Sequence, residues 1–541
     1  MTTPPSKQRW PVSAVVVSIV LVLALVGAAI WGYDRQRRLT AAEERIEALE
    51  AQVTEQEAQI AALEAQVEEL EAAAPEGLEE LLGGLLGGGD AGSLEDLLGG
   101  LLGGSGDGSL EDLLGGLLGG EGAPGLEGLL GGEGGIDPSC LVGGEADFEV
   151  DDSSADAQIA SIADAVEEIR QLEFVSEVTP TYVDAAGMED RIDAILAEDY
   201  PADVADLDSR TLAALGAVPP GTDLVEAQSE LLASGVAGFY DPETGELVVR
   251  TGSEGEALPA LDQISLAHEE THALTDQVLA FPAVVEDDAA DPDQALAALS
   301  LVEGDATVAM QRYAAGALDP MALMGSLLDP AVLGAQQGLE SVPPYLGDAL
   351  QFPHNEGLGF ACALLADGDW AAVDAAYDGP PATTAEVMFP ERYTAGYQPT
   401  GPPQSASPGG DWEEQRRTTF GAADLYLLAL SPGGDRDAAL ADARERTAAW
   451  DGGEIVLWTD GVESAVGVTM IDGGEGSAPL CDTVLALERA AFPDATETDT
   501  QGETEQAARE GSGRSAVVAC DGPNVWWGIA PDLATARRLT G

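Results

Sequence analysis

Residues 12–33 form an apolar stretch without a single charged residue, which is unusual for a segment of a soluble domain. A helix needs about 20 apolar residues to cross a bilayer, and this stretch is long enough. Trp10, Trp31 and Tyr33 stand at its ends, where interfacial aromatic residues belong. We therefore predict a transmembrane anchor over residues 12–33 behind a short tail, residues 1–11. The alternative is a cleaved signal peptide with an unusually long apolar region.

Two repetitive segments follow this stretch. Over residues 39–72, apolar residues alternate at spacings of three and four through about five heptads, which is the seam of a coiled coil. Its mixture of β-branched residues and leucine favours a parallel homodimer, whereas a single amphipathic helix packed on the body is the alternative.

Residues 75–135 repeat a leucine-rich unit closed by glycine pairs, as in SLEDLLGGLLGG at Ser93 and Ser109. We interpret this segment as a flexible stalk, with a self-associating leucine segment as the alternative.

The charge balance limits the choice of partners. The chain has 98 acidic and 22 basic residues, for a formal net charge of −76. A nucleic-acid-binding protein needs a basic patch or stripe, so we expect no nucleic-acid partner. Because 45% of the residues are hydrophobic, the chain can form a folded core, and we do not expect it to be disordered over its full length. A surface covered with carboxylates is typical of adaptation to high salt, where it stays hydrated and screened.

The remaining residues, 137–541, alternate helical and strand patterns and predict an α+β body. Helical periodicity runs over residues 155–172. Residues 236–250 contain two apolar runs on either side of DPETG, which predicts a β-hairpin. Apolar runs at 454–459 and 515–519 predict the strands of a small α/β C-terminal extension.

The segment SLAHEETHALTDQ contains the most informative residues of the chain. We predict a helix that begins near Leu261, so that His268 and His272, four residues apart, lie on one face and reach one metal ion. Imidazole suits Zn²⁺, and Glu269 is placed to take a proton from water. The chain has only 3 histidines, so chance placement of two at this spacing is improbable. The alternative is a pair of partly buried histidines beside acidic residues.

A third metal ligand is required, and the run LVEGDAT supplies two acidic candidates. Glu303 stands in an apolar helical pattern, where an unpaired acid is rare, and we predict that it is the ligand. The glycine after it permits a close backbone approach. Asp305 is off that helical face, and we expect it to accept a hydrogen bond from a ligand histidine. Both acids are alternatively solvated surface residues.

These motifs resemble those of a known family. HEETHALTDQ and LVEGDAT are similar to the gluzincin branch of zincin metallopeptidases, and more closely to uncharacterised prokaryotic metallopeptidases with an EGDA motif. The resemblance implies a mainly helical zincin-like catalytic body with a small sheet. It implies that His268, His272 and Glu303 bind zinc, that Glu269 is the catalytic base, and that peptides or proteins are the substrates. It also implies that the hairpin near Val248 is the sheet edge that binds an extended substrate.

His354 and Tyr393 are two further candidate catalytic residues, and at His354 the chain departs from the family pattern. Members of this set carry a tyrosine where the chain has His354, so this histidine is either an electrophile or proton donor near the substrate carbonyl or a surface residue. Tyr393 is a second candidate for stabilising an oxyanion, although a tyrosine is more often simply packed. The functional alternative to a membrane-anchored peptidase is a catalytically inactive scaffold that the stalk presents.

The four cysteines are Cys140, Cys362, Cys481 and Cys520, and no C-x-x-C pattern suggests a cysteine metal site. Cys481 and Cys520 flank an acidic insertion, which favours a bridge between them and leaves Cys140 with Cys362. Reduced, buried cysteines in a cytosolic body are the alternative. Together with the predicted anchor, the cysteines favour a single-pass membrane protein whose body lies outside the cytoplasm.

Overall fold

The structure is a computed structural model, and it describes the body of the chain. The described ranges are 153–233, 237–250, 257–285, 290–318, 342–430, 436–474 and 479–541, with residues 140, 141, 148, 150, 151, 287 and 323. The predicted tail, anchor, coiled coil and stalk lie outside them. Within the described part, no helix is both long and apolar enough to cross a membrane. Helices and strands are mixed there, as the α+β prediction requires.

The N-terminal part of the body is mainly helical. Its elements in chain order are α1 (Ala155–Arg170), β1 (Pro180–Val183), α2 (Ala185–Asp199), α3 (Ala202–Leu215), α4 (Leu224–Ala233), β2 (Gly238–Asp241), β3 (Glu246–Arg250), α5 (Ala260–Val278), α6 (Pro292–Ala317), α7 (Pro344–Gly368), α8 (Trp370–Asp378), α9 (Thr384–Met388) and α10 (Pro390–Ala395). Local chemistry fixes the start of α6: the Asp291 side chain accepts a hydrogen bond from the Asp293 amide at 3.1 Å, and Pro292 occupies the first turn.

The predicted hairpin is confirmed, with one correction to the position of its strands. β2 and β3 pair in antiparallel register, and β1 adds to β3 in parallel, so the order is β1-β3-β2. Val248 therefore lies in the central strand, and the edge that faces α5 is β2 of the same hairpin. The Gly245 amide donates to the Asp241 carbonyl at 2.7 Å, and Gly245 has a φ of 68°, which glycine adopts without strain.

The C-terminal part is larger than the small extension that the sequence suggested. Its elements are β4 (Glu413–Thr419), α11 (Ala422–Leu430), α12 (Arg436–Thr447), β5 (Trp450–Thr459), β6 (Ser464–Asp472), α13 (Leu480–Ala491), β7 (Thr496–Glu497), β8 (Glu505–Glu510), β9 (Ser515–Asp521), β10 (Asn524–Ala530) and α14 (Leu533–Leu539). The strands form one antiparallel seven-stranded sheet of order β4-β5-β6-β10-β9-β8-β7. Helices α3, α13 and α14 pack against it. The exposed edge strand β4 is highly charged, which discourages pairing with another chain.

Two disulfide bridges staple the body. Cys140 is bonded to Cys362 in α7, and Cys481 at the start of α13 is bonded to Cys520 in β9. This is the pairing favoured by the sequence. The first bridge closes a loop of 222 residues and joins the N-terminal end of the described body to its central helix α7.

Candidate metal centre

Helices α5 and α6 form the floor of the site, and both are buried on nearly every side. The α5 residues from Gln263 to Thr275 are all buried, and so are the α6 residues from Ser300 to Met310. On a helix that is buried all round, an acid or a histidine must find its partners inside the protein. The H-E-x-x-H residues therefore lie in a setting shielded from solvent.

All three histidines of the chain meet at one carboxylate oxygen. Glu303 Oε2 lies 3.1 Å from His268 Nε2, 3.5 Å from His272 Nε2 and 3.0 Å from His354 Nδ1. The two α5 imidazoles approach each other with 2.9 Å between their Nε2 atoms. None of the four side chains is more than 2% exposed. Three helices thus converge on a single point, which is what a metal centre needs.

Three of these residues could hold a metal ion. The ligand atoms of His268, His272 and Glu303 all lie within 4.8 Å of one another, and they form the one such group in the described residues. Two imidazoles and one carboxylate are a donor set that suits zinc and leaves a coordination position open. His354 is not a member of this group, and it reaches the group through Glu303.

The electrostatics of the group also suit a cation. Burial lowers the pKa of His268 to about 3, so this imidazole is neutral at neutral pH, as a metal ligand must be. Burial alone would raise the pKa of Glu303, but the surrounding His354, His272 and His268 hold it well below its ordinary value. Glu303 is therefore ionised in the centre of the protein, where it provides the negative charge that a metal ion requires.

Glu269 lies beside the group and is held by the edge strand. The Tyr240 amide donates to Glu269 Oε2 at 2.9 Å, while Oε1 has no hydrogen-bond partner in the described part of the chain. The Arg250 amide bonds to the Ala237 carbonyl, and hydrogen-bonded pairs alternate along an antiparallel ladder. The amide of Tyr240 accordingly points away from β3 and is free to bind the carboxylate.

The pKa of Glu269 lies well above its ordinary value. Burial is the main cause, and the neighbouring acids Glu303 and Glu270 act in the same direction, while the Tyr240 amide opposes them. A carboxyl of this kind binds a proton readily. A bound dication would favour its ionised form instead, because a metal ion reverses the local electrostatics.

Glu270 is a buried acid that sequence reasoning did not single out. Its side chain is buried, neither oxygen has a hydrogen-bond partner among the described residues, and burial raises its pKa to about 8. The signal in the sequence was a second acid directly after Glu269, inside the H-E-x-x-H motif. At neutral pH its carboxyl is mostly protonated and uncharged.

Asp305 does not have the role predicted for it. It lies two residues after Glu303, about 200° further round the helix, so its side chain points away from the candidate metal group. Its Oδ1 atom is 2.7 Å from Arg170 Nε, and the Tyr377 hydroxyl donates to its Oδ2 at 2.9 Å. Arg170 is fully buried and also lies 4.0 Å from the centre of the Trp370 ring. Asp305 therefore belongs to a buried ion pair that joins α1, α6 and α8.

The structure distinguishes the two remaining predicted residues. His354 is buried against Glu303, so the surface alternative is wrong for it. The Tyr393 hydroxyl donates to the Gly379 carbonyl at 2.7 Å, and its ring packs edge-on against Phe360 with 5.2 Å between ring centres. The packed alternative thus describes Tyr393, and these contacts give no support to an oxyanion role.

Two glycines determine how closely α6 and α7 cross at the site. A Cβ atom on Gly304 would lie 2.0 Å from the Gly357 carbonyl oxygen, and one on Gly357 would lie 2.0 Å from the Ser300 carbonyl oxygen. The helix backbones are therefore in direct contact. Gly304 follows Glu303, and Gly357 lies three residues after His354, so this crossing brings the two side chains together. The close approach expected of Gly304 is made to a neighbouring helix.

Comparison with known proteins adds no assignment. No family model matches the chain, and no curated protein or solved structure is significantly similar to it. The resemblance to zincins therefore rests on sequence motifs alone.

Proposed function

We propose that this protein is a zinc-dependent peptidase. The observation that carries the proposal is the convergence of all 3 histidines of the chain on the Glu303 carboxylate, with Glu269 beside them. Histidines are scarce in this sequence, and burying a polar imidazole ring costs free energy unless the ring has a binding partner. We also propose that the N-terminal part of the body has a zincin-like fold.

His268, His272 and Glu303 would hold the zinc ion. The fit is supported by the donor set, by the lowered pKa of His268 and by the ionised Glu303. A zinc ion held there supplies Lewis acidity, which polarises a substrate carbonyl and makes a water molecule easier to deprotonate.

Glu269 would move the proton. With Oε2 held by the Tyr240 amide, Oε1 is the oxygen left to take a proton from the attacking water. The proton then passes to the amine of the departing peptide fragment, as general acid–base catalysis requires. An extended peptide would lie along β2, because this strand is the sheet edge next to Glu269; the Tyr240 amide is bound to Glu269, so pairing would use the other outward groups of the strand.

The proposal also places the peptidase at a membrane. Residues 12–33 would anchor the chain, residues 39–72 would pair it as a parallel dimer, and the body would lie outside the cytoplasm. The two disulfides support that location, since such bridges persist in oxidising compartments and no free cysteine is present among the described residues.

Metal content and peptide cleavage test the proposal together. We expect purified full-length protein to contain about one zinc ion per chain and His268→Ala to lose it. Glu269→Gln should keep the zinc and lose at least about 10²-fold in cleavage of a fluorogenic peptide mixture, because the proton acceptor is gone.

Glu270→Gln is the matched control for that substitution. It makes the same chemical change one residue along α5, and because Glu270 is outside the group of candidate ligands, cleavage should stay within a few-fold. Normal cleavage by Glu269→Gln would refute the proposal. So would wild-type protein that contains no zinc, or zinc content that His268→Ala leaves unchanged.

A further inference from the structure

We propose that Tyr240 is a positioning residue whose hydroxyl attaches the edge strand β2 to α5, through Asp276, and so fixes the Glu269 carboxylate. The inference rests on the proposed function, because Glu269 is the proton acceptor of that reaction. It deepens that function by giving a role to the Tyr240 side chain and to Asp276, and neither role was predicted from the sequence.

Tyr240 binds α5 at two points. Its amide donates to Glu269 Oε2 at 2.9 Å, and its hydroxyl donates to Asp276 Oδ2 at 2.8 Å. Burial, together with the neighbouring Asp276, raises the pKa of the Tyr240 hydroxyl, so this group stays protonated and remains the donor. One residue therefore joins the strand to the helix through its main chain and through its side chain.

The two acceptors are spaced along one face of α5. Glu269 and Asp276 are seven residues apart, which is about two helical turns, or about 10 Å along the axis, and they differ by only about 20° around it. β2 packs against α5. The main chain of Tyr240 is thus bound near one end of this stretch of helix, and the tip of its side chain is bound near the other.

β2 needs such an attachment because it is a short edge strand. It has four residues and, among the described strands, pairs with β3 alone. The ladder holds β2 on that side, so its contacts with α5 help to determine where the Tyr240 amide meets the helix. Loss of the hydroxyl bond would leave the amide bond in place but would let the strand shift along α5.

The orientation of Glu269 depends on that amide. The last torsion of a glutamate side chain is broad and roughly two-fold, so the carboxylate takes the orientation that its donor imposes. With Oε2 held, Oε1 is the oxygen that has no hydrogen-bond partner in the described part of the chain. A misplacement of about 1 Å at such a group can lower a rate by about 10²-fold, so a looser strand should slow the proton transfer.

Removal of the hydroxyl tests the attachment. In the full-length zinc-loaded protein, we expect Tyr240→Phe to lower kcat about 10-fold for one peptide that the wild type cleaves. KM and zinc affinity should stay within a few-fold, because the substitution leaves the metal ligands and the backbone of β2 unchanged. Asp276→Ala should have the same effect, and the double variant should be no slower than either single one, since all three lose the same contact.

Two variants separate this role from general damage. Asp276→Asn keeps an oxygen that accepts the hydroxyl bond, so its kcat should be within about two-fold of wild type. The Tyr397 hydroxyl donates to Asp451, also at 2.8 Å, in the segment between α10 and β4. Tyr397→Phe therefore breaks the same kind of contact outside the site, and its kcat should be unchanged.

Amide hydrogen exchange of the metal-free full-length protein provides a readout that is independent of turnover. The amide of residue 240 lies on the outer side of an edge strand and is bound to Glu269. It should exchange slowly in the wild type and about 10-fold faster in Tyr240→Phe and in Glu269→Ala, measured by mass spectrometry on the fragment that contains β2.

Several results would overturn the inference. These are an unchanged kcat or unchanged exchange in Tyr240→Phe, a loss of zinc affinity that matches its loss of kcat, an equal loss of kcat in Tyr397→Phe, and Asp276→Asn as slow as Asp276→Ala. A wild-type chain without zinc, or normal cleavage by Glu269→Gln, would instead refute the proposed function, so the two failures are distinguishable.

Discussion

The glycine crossing of α6 and α7 predicts that Gly304→Ala will damage both the fold and the metal centre. The added Cβ atom would lie 2.0 Å from the Gly357 carbonyl oxygen, and real Cβ contacts are essentially never shorter than 3.0 Å. The two helices must therefore separate by about 1 Å or more at this point. The obstructing atom belongs to backbone, so no side-chain rotation relieves the contact.

Two opposing terms set the size of the effect. Overpacking of this kind costs about 3 kcal/mol when the backbone has to move. Alanine is the better helix former by about 1 kcal/mol, which offsets part of that cost. We expect a net loss of about 2 kcal/mol in the free energy of unfolding, and a further loss of zinc affinity because Glu303 lies next to the crossing and moves with α6.

Gly359→Ala, on the partner helix α7, is the control. A Cβ atom there would meet nothing within 4 Å, so only the gain in helix propensity, up to about 1 kcal/mol, should remain. Urea unfolding measures the stability of both variants, and chelator competition measures their zinc affinity. The reasoning is refuted if Gly304→Ala is as stable as Gly359→Ala and binds zinc as tightly.

Two further predictions concern buried charges. Asp305→Ala removes the carboxylate at 2.7 Å from Arg170 and leaves it with Asp374 at 2.8 Å, so it should cost about 3 kcal/mol in urea unfolding, the low end for a broken buried ion pair. The double variant Asp305→Leu with Arg170→Met should cost much less, and equal costs would contradict this. Burial raises the pKa of Asp293 from 3.8 to about 7, although Thr384 hydrogen bonds oppose the shift. The folded protein then binds this proton more tightly than the unfolded chain, so the stability contributed by Asp293 is present below about pH 4 and is lost as the pH rises toward 7. Asp293→Asn should reduce the difference in unfolding free energy between about pH 5 and about pH 8, and an unchanged difference would refute the assignment.

The sequence predicted the parts of the site that depend on local periodicity. The helical spacing of His268 and His272 and the apolar surroundings of Glu303 both follow from the 3.6-residue repeat, and the structure brings these residues together. The hairpin was predictable for the same reason, since turn residues separate two short apolar runs.

Contacts between distant segments could not be predicted in this way. No local sequence pattern shows that Arg170 is fully buried or that it forms an ion pair with Asp305, because the two residues are 135 positions apart. The position of His354 depends on a backbone crossing between α6 and α7, and a sequence shows a glycine without showing what approaches it. The extent of the C-terminal sheet was underestimated because strands β4 and β8 carry mostly polar residues and lack the alternation that marks a strand.

The bridge from Cys140 to Cys362 gives the body a second attachment between its N-terminal end and its interior. A pulling force applied to the chain before Cys140 would divide at that residue, with one path along the backbone into α1 and the other through sulfur directly into α7. The second path bypasses α1 entirely and delivers tension to the helix that carries His354. Mechanical load on the N-terminal end would thus be borne by a covalent bond at the middle of the body, and α1 could not be peeled away before the bridge was broken.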